Sequence, residues 1–375
     1  MKKLLVVGVV VLGIAVGLCG GAGAVTYQAP IDLGPGIARA INNLGQAVGN
    51  NAYSFSYGAH AVLWENGSTV PTPLPYLPSP YNNWAQAMDI NDQGQVAGES
   101  VMASTYQGQA CLWENKTANP TPLGFLPDHD TSLAYGMNNA GQVVGGSTVY
   151  TNWDTWRAVL WQNDTIQNLG VLDAWPRSNA SAINDLGVVV GGVGTSGGAQ
   201  RATLWYGGVA GYLGEPAGHT RSGAVDINNL GDVVGSSGPS SGQSYACWWH
   251  AGVATNLHLD APSEYQSGYS SASAINNSGQ AVGWLLTNPS QGHQYEGRAY
   301  LWQNHSMQLL PLLDGYEYAT AQGINDLGQI VGFAGDGYTE SRAVLWNPVP
   351  EPSSLVALGS GLAGLGGVFF RRRRR

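Results

Sequence analysis

Seven copies of a nine-residue segment divide this chain into units of nearly equal length. The first copy is INNLGQAVG at Ile41 to Gly49, and the others begin at residues 90, 137, 183, 227, 275 and 324. Successive copies start 49, 47, 46, 44, 48 and 49 residues apart. This period is typical of propeller blades and is too long for most helical-pair or leucine-rich repeats.

A second repeated signature, Ala-x-Leu-Trp, follows each copy of the first. Its tryptophans are Trp64, Trp113, Trp161, Trp205, Trp302 and Trp346, with the variant ACWW ending at Trp249. In the first unit, the Asn43-Leu44-Gly45 turn joins one hairpin, because Asn before Gly tolerates left-handed backbone. The tryptophan strand and a strand ending in Leu-Gly form a second hairpin. Four strands per unit predict an all-β fold, a seven-bladed β-propeller of four-stranded antiparallel blades over residues 25–347.

The last unit lacks a fourth strand, because Pro348 follows closely after its tryptophan strand. A spare strand precedes the first unit at Gln28 to Gly34 and carries the same Leu-Gly ending. We expect it to pair with the strand that ends at Trp346 and so to close the ring and cover its last edge. The alternative architecture is an open solenoid, which would need polar caps.

The predicted blades place their tight turns on one face and their long loops on the other. The long loops are rich in aromatic residues with few charges between them, a composition suited to stacking on sugar rings. The candidate ligand-binding residues are Tyr53, Tyr57, Tyr81, Trp84, Trp153 and Trp156. The alternative is that these rings pack the loops onto the blades.

The first 24 residues predict a secretory signal peptide. Lys2 and Lys3 precede an uncharged run that ends at Cys19, and an Ala-x-Ala pattern at Ala22 and Ala24 predicts cleavage after Ala24. Lipidation at Cys19 is the alternative, but Leu18 stands where a lipobox needs a small residue.

The tail, residues 348–375, has three parts in a fixed order. Pro350, Glu351 and Pro352 come first, an apolar segment at 354–370 is predicted to span the membrane, and a basic stop that includes Arg371, Arg372 and Arg373 follows. An ordinary anchor would explain the apolar segment and the arginines but not the Pro-Glu-Pro motif. The order resembles the PEP-CTERM sorting signal. The resemblance implies an exosortase-type processing enzyme as partner and transient anchoring of an exported domain.

The repeat itself, Ala-x-x-Ile-Asn-x-x-Gly-x-Val-Gly followed by Ala-x-Leu-Trp, resembles the HAF repeat family of extracellular proteins. The resemblance covers all seven units. It implies a secreted surface protein and supplies no activity or catalytic residue.

Composition excludes some classes of partner. Residues 25–370 carry 8 basic and 24 acidic residues, so the mature region repels phosphate backbones and nucleic-acid binding is disfavoured. Cys111 and Cys247 occupy equivalent strands three blades apart, which is beyond disulfide reach, and we expect both thiols to be reduced and buried.

The short motifs that could carry chemistry fail on context. Gly192 to Gly197 fits a dinucleotide fingerprint, but a strand follows where a helix is required. The histidines are scattered without metal-ligand spacing, and no catalytic pair is singled out. We therefore predict no catalytic residue, no metal and no cofactor.

These observations predict a cell-surface or matrix interaction module that binds extracellular polysaccharide. A polysaccharide-cleaving glycoside hydrolase or lyase is the first alternative, and it would require two carboxylates facing each other in a cleft. A purely structural matrix protein is the second alternative, and it would lack a ligand pocket.

Overall fold

The computed structural model describes residues 25–52, 59–78, 84–102, 104–105, 107–172, 175–195, 200–239, 242–287, 297–335 and 340–350. Residues Tyr27–Pro348 form one compact unit. The predicted signal peptide and the predicted membrane span at 354–370 lie outside the described residues. Within the described part, no helix has the length and apolar character needed to cross a membrane.

The strands of the described residues form seven four-stranded antiparallel sheets. The chain begins with β1 (Ile31–Pro35), and blade 1 contains β2 (Ile37–Ile41), β3 (Ala47–Asn50), β4 (Ala61–Trp64) and β5 (Thr72–Pro73). Blade 2 contains β6 (Trp84–Ile90), β7 (Val96–Val101), β8 (Gly108–Trp113) and β9 (Thr121–Pro122). Blade 3 contains β10 (Thr131–Met137), β11 (Val143–Val149), β12 (Asn152–Gln162) and β13 (Thr165–Asn168). Blade 4 contains β14 (Arg177–Ile183), β15 (Val189–Gly194), β16 (Gln200–Tyr206) and β17 (Val209–Tyr212).

The remaining blades repeat this order from the inner strand outwards. Blade 5 contains β18 (Arg221–Ile227), β19 (Val233–Gly238), β20 (Tyr245–His250) and β21 (Val253–Asn256), followed by two short 3₁₀ helices, Leu257–Asp260 and Ser263–Tyr265. Blade 6 contains β22 (Tyr269–Ile275), β23 (Ala281–Leu286), β24 (Gly297–Gln303) and β25 (Ser306–Leu309). Blade 7 contains β26 (Tyr318–Ile324), β27 (Ile330–Gly335) and β28 (Ser341–Trp346), and β1 is its fourth strand. The predicted seven-bladed propeller is confirmed.

The N-terminal strand closes the ring as predicted. β1 pairs antiparallel with β28, with Ile31 opposite Leu345. Arg342 Nη2 donates to Asp32 Oδ2 across this pairing at 2.6 Å. On the other side, Trp64 Nε1 of blade 1 donates to Leu33 O at 2.9 Å. The last blade is thereby joined to the first, and the open solenoid is excluded.

The repeated tryptophans are core residues that also connect blades. All seven are at most 3% exposed. Five of them donate through Nε1 to the segment that ends the preceding blade: Trp64 to Leu33 O, Trp113 to Pro75 O, Trp249 to Gly214 O, Trp302 to Asp260 Oδ2 and Trp346 to Pro311 O. A buried indole N–H without a partner is costly, so these contacts favour the observed blade spacing.

Two glycines in each repeat have separate physical reasons. Gly45 in the first turn has φ +77°, which places it in the left-handed region. Gly49 in the returning strand has no room for a side chain, because a Cβ there would lie 1.9 Å from Ile37 O on β2. The final glycine of the repeated segment is therefore required for close pairing of the two inner strands.

The two faces of the propeller have different connections, as the sequence predicts. The turns that join β2 to β3 and β4 to β5, with their equivalents in the other blades, form what we call the tight-turn face. The connections that join β3 to β4 and β5 to β6, with their equivalents, form the long-loop face. Cys111 and Cys247 are free thiols, both 0% exposed, as expected from their strand positions.

Removal of residues 25–36 should lower the free energy of unfolding by several kcal/mol or cause aggregation, because the edge of β28 loses its partner and Leu33 leaves the core. Thermal and urea unfolding of a chain starting at Ile37 measure the effect. Asp32→Asn is the matched control, since it removes only a partly exposed ion pair worth less than about 1 kcal/mol. Equal stability of the shortened and full chains would contradict a closing role for β1.

Candidate functional site: the central channel

A β-bulge in every inner strand shapes the central channel. The pairing of β2 with β3 shifts register between Ala38 and Ala40, and the other six inner strands shift at the equivalent point. A bulge adds one residue to a strand and redirects side chains locally. The bulged residues are Arg39, Met88, Tyr135, Ser181, Val225, Ser273 and Gln322, and all seven line one cavity.

This channel cavity has a volume of about 350 Å³. The residue before each bulged residue is always alanine. The residue two positions after the bulged residue is always Ile or Met. These side chains pack in the blades, which explains why they do not vary. The bulged residues differ from blade to blade in size, polarity and charge. Within the inner strands, the repeats therefore vary at the bulged position and are uniform at the alanine before it and at the Ile or Met that packs in the blade.

Two carboxylates lie in the channel cavity, on blades 2 and 5. Asp89 accepts hydrogen bonds from Ile90 N and, across the blade boundary, from Met137 N at 2.7 Å. Asp226 repeats this arrangement with Ile227 N and Ile275 N. Burial raises the pKa of Asp89 to about 7 and that of Asp226 to about 6, although the backbone N–H donors oppose the shift.

Arg39 is the one cation among the described residues that line the cavity. Its guanidinium donates to Asn50 Oδ1 at 3.4 Å and to Gln86 Oε1 of the next blade at 3.2 Å. Burial raises the pKa of nearby Glu99 to about 7, and the charge of Arg39 opposes this shift. Burial, aided by the Glu99 charge, also raises the pKa of Tyr135, so its phenol remains a neutral donor and acceptor.

A closed ring of seven asparagine side chains surrounds the channel at the tight-turn face. Asn42 accepts from Leu44 N and Gln46 N through Oδ1, and donates from Nδ2 to Asn91 O of the next blade at 2.9 Å. The same bond to the next blade continues through Asn91, Asn138, Asn184, Asn228, Asn276 and Asn325, which donates to Asn42 O. Each of these residues is 3–4% exposed. We call this set the asparagine ring.

A second closed ring lies one residue further along each turn. The backbone N–H of each member donates to Oδ1 of the next member at 2.8 or 2.9 Å. In circular order the members are Asn43, Asp92, Asn139, Asp185, Asn229, Asn277 and Asp326. We call this set the alternating ring, and both rings line a second cavity of about 190 Å³.

The order of residues in the alternating ring separates the negative charges. Asp92 Oδ2 accepts from the amides of both neighbours, Asn43 and Asn139. A ring with seven members cannot alternate Asn and Asp throughout, so two neighbours must be of the same type. These neighbours are the neutral pair Asn229 and Asn277. Two adjacent carboxylates never occur. The local sequence predicts the turn at Asn43, but it does not predict the hydrogen bonds between blades.

Of the six aromatic residues predicted to bind ligand, three lie within the described strands. Tyr53, Tyr57 and Tyr81 lie outside the described residues, whereas Trp84 begins β6 at the long-loop end of an inner strand and is partly buried. Trp153 lies in β12. Trp156 is 6% exposed, and its indole covers Gly146, where a Cβ would lie 2.3 Å from Nε1. Trp156 therefore packs against the blade, and binding by the other rings stays a prediction.

The described residues do not form a metal centre or an exposed nucleophile at the contacts that come nearest to one. The described residues contain no cluster of three His, Cys, Asp or Glu side chains that could hold a metal ion. His129 Nδ1 lies 2.9 Å from Ser147 Oγ, but Ser147 is 0% exposed and also accepts from Leu126 N. This contact orders the loop that enters blade 3, and it does not present a nucleophile to solvent.

Two family models match parts of the chain. Residues 210–341 match a model described as a protein of unknown function, DUF3466. Residues 348–375 match the PEP-CTERM protein-sorting motif, which confirms the predicted sorting signal and marks the protein for export to the cell surface. The resemblance to HAF repeats stays a prediction. No curated protein sequence matches this chain.

Solved structures share the fold at low sequence identity. A puromycin hydrolase is 12% identical with a TM-score of 0.53, and the match covers 85% of this chain and 54% of the hydrolase. A structure from a study of two prolyl endopeptidases is 8% identical with a TM-score of 0.52, over 85% of this chain and 51% of the other. This chain therefore spans about half the length of each. At these identities the likeness concerns the fold alone.

Asn139→Asp should destabilise the propeller at neutral pH, because it places three carboxylates side by side in the alternating ring. Each adjacent pair costs about 1 to 3 kcal/mol for charges near a protein surface. Asn229→Asp is the matched control with only one carboxylate neighbour, Asp185, and should cost about half as much. Urea unfolding at pH 7 and pH 3 measures both variants, and an equal loss for the two would contradict the charge argument.

The channel carboxylates predict a second pH effect. Since the native state holds the Asp89 proton more tightly than the unfolded chain, this residue's contribution to stability is present below about pH 4 and is lost as pH rises to about 7. Asp89→Ala, which introduces the alanine found at this position in blades 1, 4 and 6, should reduce that loss by on the order of a few kcal/mol. Unfolding between pH 4 and 8 tests this, with exposed Asp314→Ala as control. An unchanged slope would refute it.

Proposed function

We propose that this exported propeller is a cell-surface interaction module that binds a neutral, hydroxyl-rich ligand, a saccharide unit of an extracellular polysaccharide, in its central channel. The observation that carries the proposal is the channel cavity, to which every blade contributes its bulged residue. Those seven positions carry residues that differ in size, polarity and charge, so blade packing imposes no single residue type there. Such positions are free to be specialised for a ligand.

The chemistry of the lining suits a ligand with many hydroxyl groups. Arg39 donates, Ser181 and Ser273 donate and accept, and Gln322 and Tyr135 offer both functions at other points around the cavity. Its volume falls within the range of small-molecule sites, which are about 300 to 1,000 Å³. With two carboxylates against one guanidinium, the cavity disfavours an anion such as a phosphate ester.

Access to the cavity favours the long-loop face. At the tight-turn face, the asparagine ring and the alternating ring join all seven blades around the channel. At the opposite end the inner strands begin, and Trp84 stands at the first position of β6. Trp84 therefore stands at the end from which a chain of sugars would enter, so stacking on this ring and binding in the channel can act on one polysaccharide.

Binding is favoured over cleavage because the channel carboxylates already accept hydrogen bonds from the backbone. Glycoside cleavage needs one carboxyl group as acid and another as base or nucleophile. Asp89 and Asp226 are the pair that the cavity offers, but each oxygen of both already accepts a backbone N–H. We assign these residues to joining adjacent blades, and the module is not an enzyme in this proposal.

Gln322→Ala and Tyr135→Phe should each weaken saccharide binding about fivefold, because each removes a hydrogen bond worth about 1 kcal/mol. A glycan screen of the full chain identifies the ligand, and affinity electrophoresis with the same polysaccharide measures the variants. Gln167→Ala is the matched control, since Gln167 is exposed on the outer strand β13.

Two results would contradict the proposal. Unchanged binding by both channel variants, combined with loss of binding in Trp84→Ala, would move the site to the loop aromatics. Release of shorter sugars from the polysaccharide, abolished by Asp89→Asn, would establish the hydrolase in place of the binding module.

A further inference from the structure

Both ends of the propeller chain emerge at the tight-turn face. β28 runs towards that face, with Trp346 opposite Ile330, the first residue after the blade 7 turn. Beyond it, Asn347 Oδ1 accepts from Gln329, and Pro348 forms a bridge with Tyr27. Tyr27 Oη donates to Gly328 O in the same turn at 2.9 Å. The segment that leads to the sorting signal therefore leaves from this face.

The most exposed apolar side chains lie on the same face. Among the described residues, nine large apolar side chains are more than half exposed, and eight of them occupy the tight turns or the strand positions next to them. The eight are Leu44, Val70, Leu186, Tyr206, Val209, Leu230, Val253 and Leu327, which are 57–73% exposed. The ninth, Leu259, lies on the long-loop face. Leu44, Leu186, Leu230 and Leu327 follow members of the alternating ring and so surround the channel mouth.

We propose that the tight-turn face rests on the outer surface of the membrane while the C-terminal segment holds the precursor there, so that the long-loop face points away from the cell. Five residues, 349–353, separate Pro348 from the predicted span at 354, which allows a reach of about 20 Å at most. The predicted span is also short for a hydrocarbon core of about 30 Å, which draws the domain closer. At that distance the protruding leucines enter the headgroup region, where burial of apolar side chains is favourable.

The charges on this face select the lipid. Asp92, Asp185 and Asp326 stand beside the leucines in the alternating ring, and the one lysine of the described chain, Lys116, is paired with Glu65. These carboxylates repel anionic headgroups. The face therefore suits a zwitterionic surface, and anionic lipid should weaken the contact.

The test places an environment-sensitive fluorophore on single introduced cysteines in the full chain from Val25, reconstituted through its C-terminal segment. Leu230→Cys reports on the tight-turn face and Leu259→Cys is the matched control, while the native Cys111 and Cys247 are buried and do not react. The vesicles are phosphatidylcholine, or phosphatidylcholine with phosphatidylglycerol, each with spin-labelled lipid as quencher. Quenching at Leu230→Cys should exceed that at Leu259→Cys several-fold, and phosphatidylglycerol should reduce it.

A second variant separates contact from tethering. With the label moved to Val253→Cys, replacement of Leu44, Leu186, Leu230 and Leu327 by serine should reduce quenching several-fold without changing the melting temperature. Equal quenching on the two faces, or unchanged quenching after the serine replacements, would overturn the proposal. Saccharide binding enters neither measurement, so the result is independent of the proposed function.

Discussion

The fold depends on a single side chain per blade, the buried asparagine that opens each tight turn. Its carbonyl oxygen holds its own hairpin turn by accepting two backbone N–H groups, and its amide reaches the carbonyl of the equivalent residue in the next blade. Local turn formation and contact between blades are thus performed by the same group. Because the amide of Asn325 in the seventh blade donates to Asn42 O in the first, the set of seven bonds is complete only when the ring is closed.

The odd number of blades explains the distribution of charge in the alternating ring at the channel mouth. A ring of seven that alternates Asn and Asp must repeat one residue type, and a repeated Asp would place two carboxylates together at a site already surrounded by acidic surface. The repeat is Asn229 next to Asn277. Each carboxylate in the ring therefore has amide donors on its side-chain oxygens, which offsets the charge of a strongly acidic protein.

The β-bulge separates the positions that pack the blade from the positions that line the channel within each repeat. Alanine before the bulge and Ile or Met after it pack against neighbouring blades, and the final glycine of the repeated segment permits close strand pairing. The bulged residue and the residue after it line the channel cavity instead. A scaffold of uniform blades can in this way present seven side chains of six types, with serine in two blades, to a single cavity.

The sequence by itself determined the number of blades, the closing strand and the separation of turns from loops, because each follows from a local pattern repeated at a constant period. The buried, reduced state of Cys111 and Cys247 also followed from their repeated strand positions. The sequence alone did not determine which residues meet across the channel. Arg39, Asp89, Tyr135 and Asp226 lie in different repeats, and only ring closure brings them into one cavity. The sequence predicted the turn at Asn43-Leu44-Gly45 but not the bonds that Asn42 and Asn43 make, since their partners belong to neighbouring blades. Trp156 lies in a segment that the sequence predicts to be a loop. Its ring nevertheless packs against the blade, because Gly146 has no side chain there. The local sequence pattern around Trp156 does not include this contact.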